Sequence, residues 1–476
     1  MTTSPAPAPP AADARADGRL LAVLLVPLFM ALLAVSVVNV ALAPIGHSLE
    51  ADDSALQWVV SGYALAFGVF LVPAGRLGDL MGRRPLFQLG VAVFTLGSLG
   101  AALAPTVELL NAARLLQGLG SGLINPQTIG LIQAHFRGQA RARAFATMAT
   151  TVALATAFGP VVGGLLIQLL GDELGWRWMF ALNVPLGLVT LALARRWVPE
   201  DRVRTGGFPD IDPVGTVLLA LSTLAFMWPF VERSGSSWWL LLPAAALTGS
   251  FVLWERRYRR RGGHPVVDLD MFRSRAFRNG IAIVSIHFLG ATSIFLVIPL
   301  WLQMHLGHGA LAAALALLPA SVGSGFSAQV AGRHVLRMGR RLVIGGFLVV
   351  ITALLLLVLL VPLIESGQLP WWTVCLSTLL IGLGQGSVVS PNTTLTLQAM
   401  DSRQGGVAGG LMSLGQRLGT AVGTALVPGV LFALVGAEAG WTDAFRATLL
   451  TIVALTLAAT ALSVLDLRRE RQERHA

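Results

Sequence analysis

Apolar runs of about 20 residues follow one another from residue 20 almost to the end of the chain. Each is long enough to cross a hydrocarbon layer of roughly 30 Å as a helix. Fourteen are legible, at 20–43, 55–74, 86–104, 108–132, 144–170, 179–198, 212–231, 238–255, 279–303, 310–332, 342–364, 371–395, 406–434 and 443–466. They lack the alternation over about ten residues that marks the strands of an outer-membrane barrel. The pattern predicts an all-α polytopic membrane protein with fourteen transmembrane helices. Ahead of the first run, residues 1–19 (MTTSPAPAPPAADARADGR) are rich in proline and alanine and hold two acids. That composition predicts a disordered tail and not the basic leader of a cleaved signal peptide.

Two of the polar breaks repeat each other. GRLGDLMGRR, residues 75–84, joins spans 2 and 3, and GRHVLRMGRR, residues 332–341, joins spans 10 and 11. They align without a gap and share Gly, Arg, Met, Gly, Arg and Arg, while Asp79 of the first becomes Leu336 in the second. The equivalent positions predict two homologous six-span halves, 20–198 and 279–466. Residues 199–278 are then a linker carrying two extra spans, and 467–476 a short tail. Parallel repeats about an axis along the membrane normal are a transporter architecture.

Composition agrees with a membrane protein. The chain is 55% hydrophobic and 12% charged, against about 25% charged in a soluble domain. A net charge of +10 would suggest nucleic acid in a soluble chain. Here no lysine is present, and 29 of the 34 arginines fall in breaks and tails on one side of the predicted topology. That bias is the positive-inside rule, which puts both termini in the cytoplasm and leaves no reason to expect a nucleic-acid partner. The exceptions are Arg114 and Arg417 inside spans, and Arg177, Arg233 and Arg446 near outer ends. The single cysteine, Cys375, cannot form an intrachain disulfide.

The first decamer carries chemistry. Gly75 and Gly82 bracket a tight turn, and Arg83 and Arg84 hold it at the anionic inner leaflet. Asp79 ends span 2. It can take the unpaired N–H groups at the start of a helix in the opposite half, as a latch, or it can be a solvated acid that balances the arginines. In span 4, Arg114, Gln117, Ser121, Asn125 and Thr128 fall on one stripe at 100° per residue. An arginine so placed faces a water-filled cavity or the bundle interior, or serves as a strut bonded to carbonyls. In span 5, Ala155, Gly159 and Gly163 make a small-residue face beside Pro160 and Gly164, a hinge or a close-packed seam. In span 9, His287 is a proton carrier or a satisfied hydrogen-bonding group.

Taken together these stretches resemble the major facilitator superfamily. GRLGDLMGRR resembles its signature between spans 2 and 3, RLLQG at 114–118 its span 4 motif, and GPVVGG at 159–164 the antiporter motif of its exporters. QWVVSGYALAFGVFLVPAGRLGD and WRWMFALNVPLG resemble the fourteen-span drug:proton antiporter branch, the EmrB/QacA type. The resemblance implies alternating access, export of bulky amphipathic compounds, a latch formed by Asp79 and Arg83, and a part for Arg114 in proton coupling. One departure stands out. SVVNVALAP at 36–44 resembles the family's span 1 motif, but the position of its usual acid is Ala34, and spans 9 to 13 hold no central acid.

The expectation is therefore a monomeric exporter in the inner (plasma) membrane. It would move a small amphipathic molecule, neutral or anionic more than dicationic. It would be driven by the proton gradient with no cofactor or metal, its partners being substrate, protons and lipid. A facilitator or importer of a polar metabolite on the same fold, or a transporter-derived sensor, remains the alternative. No zinc-binding HExxH, nucleotide loop or soluble domain points to an enzyme.

Overall fold

The computed structural model describes residues 14–200, 210–232, 237–438 and 440–475. Among these residues the chain is helical and holds no strand. Residues 1–13 of the expected tail, with Arg202, Arg204 and Arg233, lie outside the described residues. Residues 14–19 of that expected tail already belong to the first helix.

α1 (Ala14–Ser36) and α2 (Val38–Leu49) form a rod interrupted at Val37. α3 (Asp53–Met81) starts on a cap, with the Ala55 N–H donating to Asp52 Oδ1 at 2.7 Å, which satisfies one of its orphan donors. Gly82, at φ 102°, separates it from α4 (Arg83–Ala102). α5 (Val107–His135) packs between α3 and α4. α6 (Gly138–Ala181) leads almost directly into α7 (Asn183–Trp197).

The stretch from Gly138 to Trp197 is 60 residues long, about 90 Å as one straight helix, or three hydrocarbon thicknesses. It is not straight. Gly171 sits at φ 77°, ψ 174°, a conformation that excludes an L side chain. A Cβ on Gly175 would lie 2.7 Å from Ile167 Cα, so the chain folds back on itself at this break.

α8 (Pro213–Glu232) and α9 (Leu241–Arg260) pair with each other, and α8 reaches both α3 and a later helix. α10 (Arg275–Leu300), α11 (Ala310–Met338), α12 (Arg340–Glu365), α13 (Val374–Gln398), α14 (Gly405–Gly436) and α15 (Trp441–His475) make a second group. α15 runs through most of the stretch expected as a C-terminal tail. The first group is centred on Phe67, Phe87, Phe94 and Phe145. The second is centred on Leu354, Leu357 and Trp301, whose ring stacks on Phe445 at 4.8 Å. The groups meet where α14 lies against α3 and α5, and where α6 lies against α11 and α13.

Among the described residues, twelve stretches are long and apolar enough to cross a membrane, where the sequence pattern predicts fourteen. α5 is not among the twelve, because its polar residues lower its hydropathy. Gly138–Trp197 counts as one despite its break.

Candidate functional site

The first decamer lies where the two helix groups touch. Asp79 closes the last turn of α3, and its carboxylate spans the start of α14. Oδ1 accepts the Gly406 N–H at 3.0 Å and Oδ2 the Val407 N–H at 2.9 Å. These are donors that a helix leaves unpaired in its first turn, at the positive end of its dipole. Arg83 sits on the same carboxylate, with Nη2 at 2.7 Å and Nε at 3.0 Å. Its Nη1 donates to the Gly130 carbonyl at 3.0 Å, and Nη2 also reaches the Ser402 carbonyl. Both side chains of this ion pair are about 95% buried.

Glycine makes the approach possible. A Cβ on Gly75 would collide with the Gly406 carbonyl, and one on Gly78 with the Gln127 amide. Gln127 in turn donates to the Ala74 carbonyl at 2.7 Å. Gly82 supplies the positive φ between the helices. Arg84 points away, to the Arg195 carbonyl and to Glu200 at 2.6 Å, a largely exposed acid, so it fastens the turn within its own half. Gln133 reinforces the crossing from α5, donating to the Leu397 carbonyl at 2.8 Å. The structure thus brings Gly75, Asp79, Gly82 and Arg83 into one clasp and leaves Arg84 outside it.

The polar stripe of α5 is packed. Arg114 is 1% exposed. Its Nε donates to the Val59 carbonyl of α3 at 2.8 Å and its Nη1 to Gln117 Oε1 at 2.8 Å. Its guanidinium lies 4.4 Å from the Tyr63 ring centre, a cation–π placement. Gln117 passes the chain on to Ser98 Oγ at 2.7 Å, and Ser121 meets the Tyr63 hydroxyl at 2.6 Å. The wall of an open cavity is one expectation for these residues. Arg114, Gln117 and Ser121 instead sit in a closed seam that ties α5 to α3 and α4. Asn125 alone crosses to the other half, accepting from Ser413 Oγ of α14 at 2.8 Å. Thr128 is buried and bonds back to Ile124 of its own helix.

The antiporter-motif residues face the rod break. Ser36 donates to the Ala155 carbonyl at 3.0 Å, and a Cβ on Gly159 would collide with the Ser36 side chain. A Cβ on Gly163 would meet Val37 at 3.0 Å, while Gly164 has open space around it. Pro160 lies inside α6 at this seam. The small residues therefore let α6 close on the α1–α2 junction. His287 is buried between Phe288 and Phe347, ring centres 5.6 and 5.5 Å away. Its neighbours place it inside the second half.

The second decamer is arranged differently. Arg340, the counterpart of Arg83, is buried, and its Nε donates to Asp466 Oδ2 on α15 at 2.7 Å. It also reaches Asn392 on α13. Asn279 donates to the same acid at 2.6 Å, and a cavity of about 470 Å³ lies alongside, lined in part by Arg275, Arg340 and Asp466. Sequence reasoning missed Asp466 and Tyr63. The repeat carried no signal for the first, but the second sits in a span as one of only two tyrosines in the chain. No group of three or more His, Cys, Asp or Glu suited to a metal occurs among the described residues.

Comparison with known proteins bears on this arrangement. The family model described as Major Facilitator Superfamily matches residues 24–424 and 286–475. The probable actinorhodin transporter of Streptomyces coelicolor is 33% identical over 419 residues, 86% of this chain and 72% of that protein. The multidrug resistance protein Stp of Mycobacterium tuberculosis is 31% identical over 86% of this chain and 75% of its own length. The methylenomycin A resistance protein of Bacillus subtilis is 32% identical over 85% and 86%. Among solved structures, the human organic anion transporter MFSD10 (TETRAN) superposes with a TM-score of 0.68, at 16% identity, covering 96% of this chain and all of that one. At that identity the likeness speaks for the fold alone.

Proposed function

The chain belongs to the Major Facilitator Superfamily, and on that premise we propose that it exports small amphipathic compounds by alternating access, driven by the proton gradient. The observation that carries the reading is the Asp79–Arg83 clasp on Gly406 and Val407. It holds the halves together at one end through two backbone donors and one ion pair. A charge-assisted bond contributes about 1.5–3 kcal/mol, and moving a two-state equilibrium from 1:99 to 99:1 takes about 5.5 kcal/mol. A few such bonds are therefore enough to hold one end shut and few enough to be released. The relatives named for actinorhodin, multidrug resistance and methylenomycin resistance support drug or antibiotic efflux as the direction and class of transport.

The finer features belong to the same proposal. The polypeptide crosses the inner membrane fourteen times: the twelve apolar stretches, with α5 added and Gly138–Trp197 counted twice because of its fold-back at Gly171. That count supports the fourteen-span drug:proton antiporter branch. Both termini are cytoplasmic, as the arginine bias asks, and the clasp then closes the cytoplasmic end. The protein works as a monomer. Arg114 serves coupling by fixing α5 to α3, so that a shift of one moves the other.

A neutral or anionic substrate suits the interior. Ala34 is buried where the family has an acid. The Arg417 guanidinium lies 4.2 Å from the Phe67 ring centre, and no ion pair of Arg417 is described. The aromatic rings beside His287 offer its charged form no counter-ion, which weighs against it as the proton carrier.

The test is flux of candidate compounds into inverted membrane vesicles under an imposed pH gradient, with compounds chosen by a survival panel with and without the gene. Accumulation that follows the gradient supports the proposal. Flux indifferent to the gradient makes the protein a facilitator.

A further inference from the structure

The inserted helices α8 and α9 hold two carboxylates that the clasp and the stripe do not use. Asp212, just before α8, is fully buried, and Glu255 on α9 is 1% exposed. Part of Asp212 is accounted for, since its Oδ1 caps α8 by accepting the Gly215 N–H at 3.0 Å and takes the Trp254 indole N–H at 2.9 Å. Its Oδ2 has no hydrogen-bond partner, and neither has either oxygen of Glu255. The backbone N–H groups of Val266 and Val267 approach Glu255 as weak donors, outside good hydrogen-bond geometry. The unpartnered oxygens converge. A Cβ built on Gly215 would strike Asp212 Oδ2 and lie 2.6 Å from Glu255 Oε1, so both occupy the space beside this one glycine.

Asp212 Oδ2 has no donor and Glu255 only the Val266 and Val267 N–H groups beside it, so two ionised carboxylates here would be poorly compensated for the water they lose. One proton resolves it. Placed on Glu255, it turns an acceptor into an O–H that donates to Asp212 Oδ2, and the pair keeps a single negative charge. The charged surroundings suit that charge. Arg76 of α3 packs here, its Nη2 donating to the His264 carbonyl at 3.0 Å and the Asp210 carbonyl at 3.4 Å, while its Nε has no partner. Asp210 is already occupied, accepting the His264 N–H at 2.7 Å and the Tyr258 hydroxyl. Burial raises its carboxyl, but those hydrogen bonds outweigh burial and leave it below the usual carboxylate range, so it stays ionised. Asp79 of the clasp lies three residues beyond Arg76 on the same helix.

We propose that Asp212 and Glu255 form a proton-binding site on the inserted helices, and that its occupancy is linked to the clasp through Arg76. With the proton bound, the pair adds one negative charge to those of Asp210 and Asp79 around Arg76. With the proton lost, it adds two, and α3 is drawn harder against the inserted pair. The inference deepens the proton-coupled reading of the previous subsection and rests on it for the link to transport, but the binding site itself stands on its own geometry.

The experiment is infrared difference spectroscopy of the full chain in lipid nanodiscs over a pH titration, for wild type, Glu255→Gln and Asp212→Asn. The amide that Glu255→Gln introduces can donate to Asp212 as the protonated acid would, so the first variant is expected to fold, and the second gives an independent removal of the pair. A buried protonated-carboxyl band that titrates in wild type and is lost in Glu255→Gln is the expected result. A wild type with no titrating carboxyl band, or a band unchanged in both variants, overturns the site. The same proteins are then assayed for flux in vesicles. Flux that no longer follows the pH gradient in Glu255→Gln supports the link. A lost band with an unaltered gradient response overturns it. If wild-type flux ignores the gradient, proton-coupled transport fails, and the carboxyl band still decides the site.

Discussion

The two decamers put the same arginine to opposite uses. In the first, Arg83 and Asp79 belong to one turn and together reach across to α14. In the second, Leu336 stands in place of the acid, and Arg340 turns inward to Asp466, within its own half. The second crossing is made by neutral groups: Gln139 of α6 donates to the Gly332 carbonyl at 2.7 Å, and Thr150 to the Gly325 carbonyl at 3.0 Å. Gly332 still allows the close approach, since a Cβ there would lie 2.5 Å from that of Ala146. The scaffold repeats, but the charge that grips the other half does not. A transporter has to release its closed end in every cycle, and one ionic clasp beside one neutral contact keeps that release within reach. Two ionic clasps would add their free energies to the same closed state.

The comparison breaks most sharply at Asp79. Asp79→Ala removes the acceptor of two helix N–H groups and leaves Arg83 as a buried cation without its carboxylate. Breaking a buried pair this way costs about 3–5 kcal/mol, here falling on the closed state alone. That is roughly a hundredfold to several-thousandfold shift toward opening at this end. Spin labels placed across α3 and α14 should show the wider distance dominating, and export should fall to background. Narrow, closed-state distances with normal export would falsify the clasp.

Arg340 tests the other side of the comparison. Arg340→Leu strips Asp466 of its cation but leaves the Asn279 amide in place. Asp466 is 13% exposed, so water softens the loss to about 2 kcal/mol, below the range for a fully buried pair. The cost should appear as a lower melting temperature of the purified protein. The closed-end distance across α3 and α14 should stay as in wild type. A widened distance with unchanged melting would mean that Arg340 also grips the other half.

How much of this was legible in the sequence depends on how local each feature is. The helical spans and the acid at the end of span 2 follow from short stretches and their repeat. The N–H groups that Asp79 meets lie 327 and 328 residues away; a helix start is the generic partner of such an acid, but it is the family resemblance, and nothing local, that points to a latch across the halves. Asp466 lies 126 residues from Arg340, and nothing local announced it. The stripe of α5 was legible as a stripe. Whether it was wet or packed was not, because a cavity wall and a polar seam ask for the same residue types at the same spacing. Tyr63 closes that seam from α3, and only packing shows it. Asp212 reads in sequence as an acid in the Pro- and Gly-containing stretch PDIDPVG, and Glu255 as one acid before a run of arginines. Their meeting beside Gly215 is a product of how α8 lies on α9.

The smallest expected effect is the most direct trial of the asymmetry, because it adds what the second decamer lost. Leu336 is 41% exposed on the last turns of α11, at the position matching Asp79. The start of α6 is near, since Gly332, one turn earlier, already abuts Ala142 and Ala146. Leu336→Asp therefore offers a carboxylate to the first turn of α6. An exposed acid at a helix N-terminus contributes about 0.3–1 kcal/mol, far less than the buried clasp. The closed state should gain that much, and turnover should slow by roughly twofold to fivefold while substrate affinity holds. Raising the salt should restore part of the rate, because a charge this exposed is screened. Combined with Asp79→Ala, the same substitution should recover some of the closed-state population, since the acid would again join the two halves, only through the other loop. If Leu336→Asp leaves turnover unchanged alone and recovers nothing in the double variant, the two loops are not interchangeable. The loss of the acid in the second repeat would then have no bearing on the cycle.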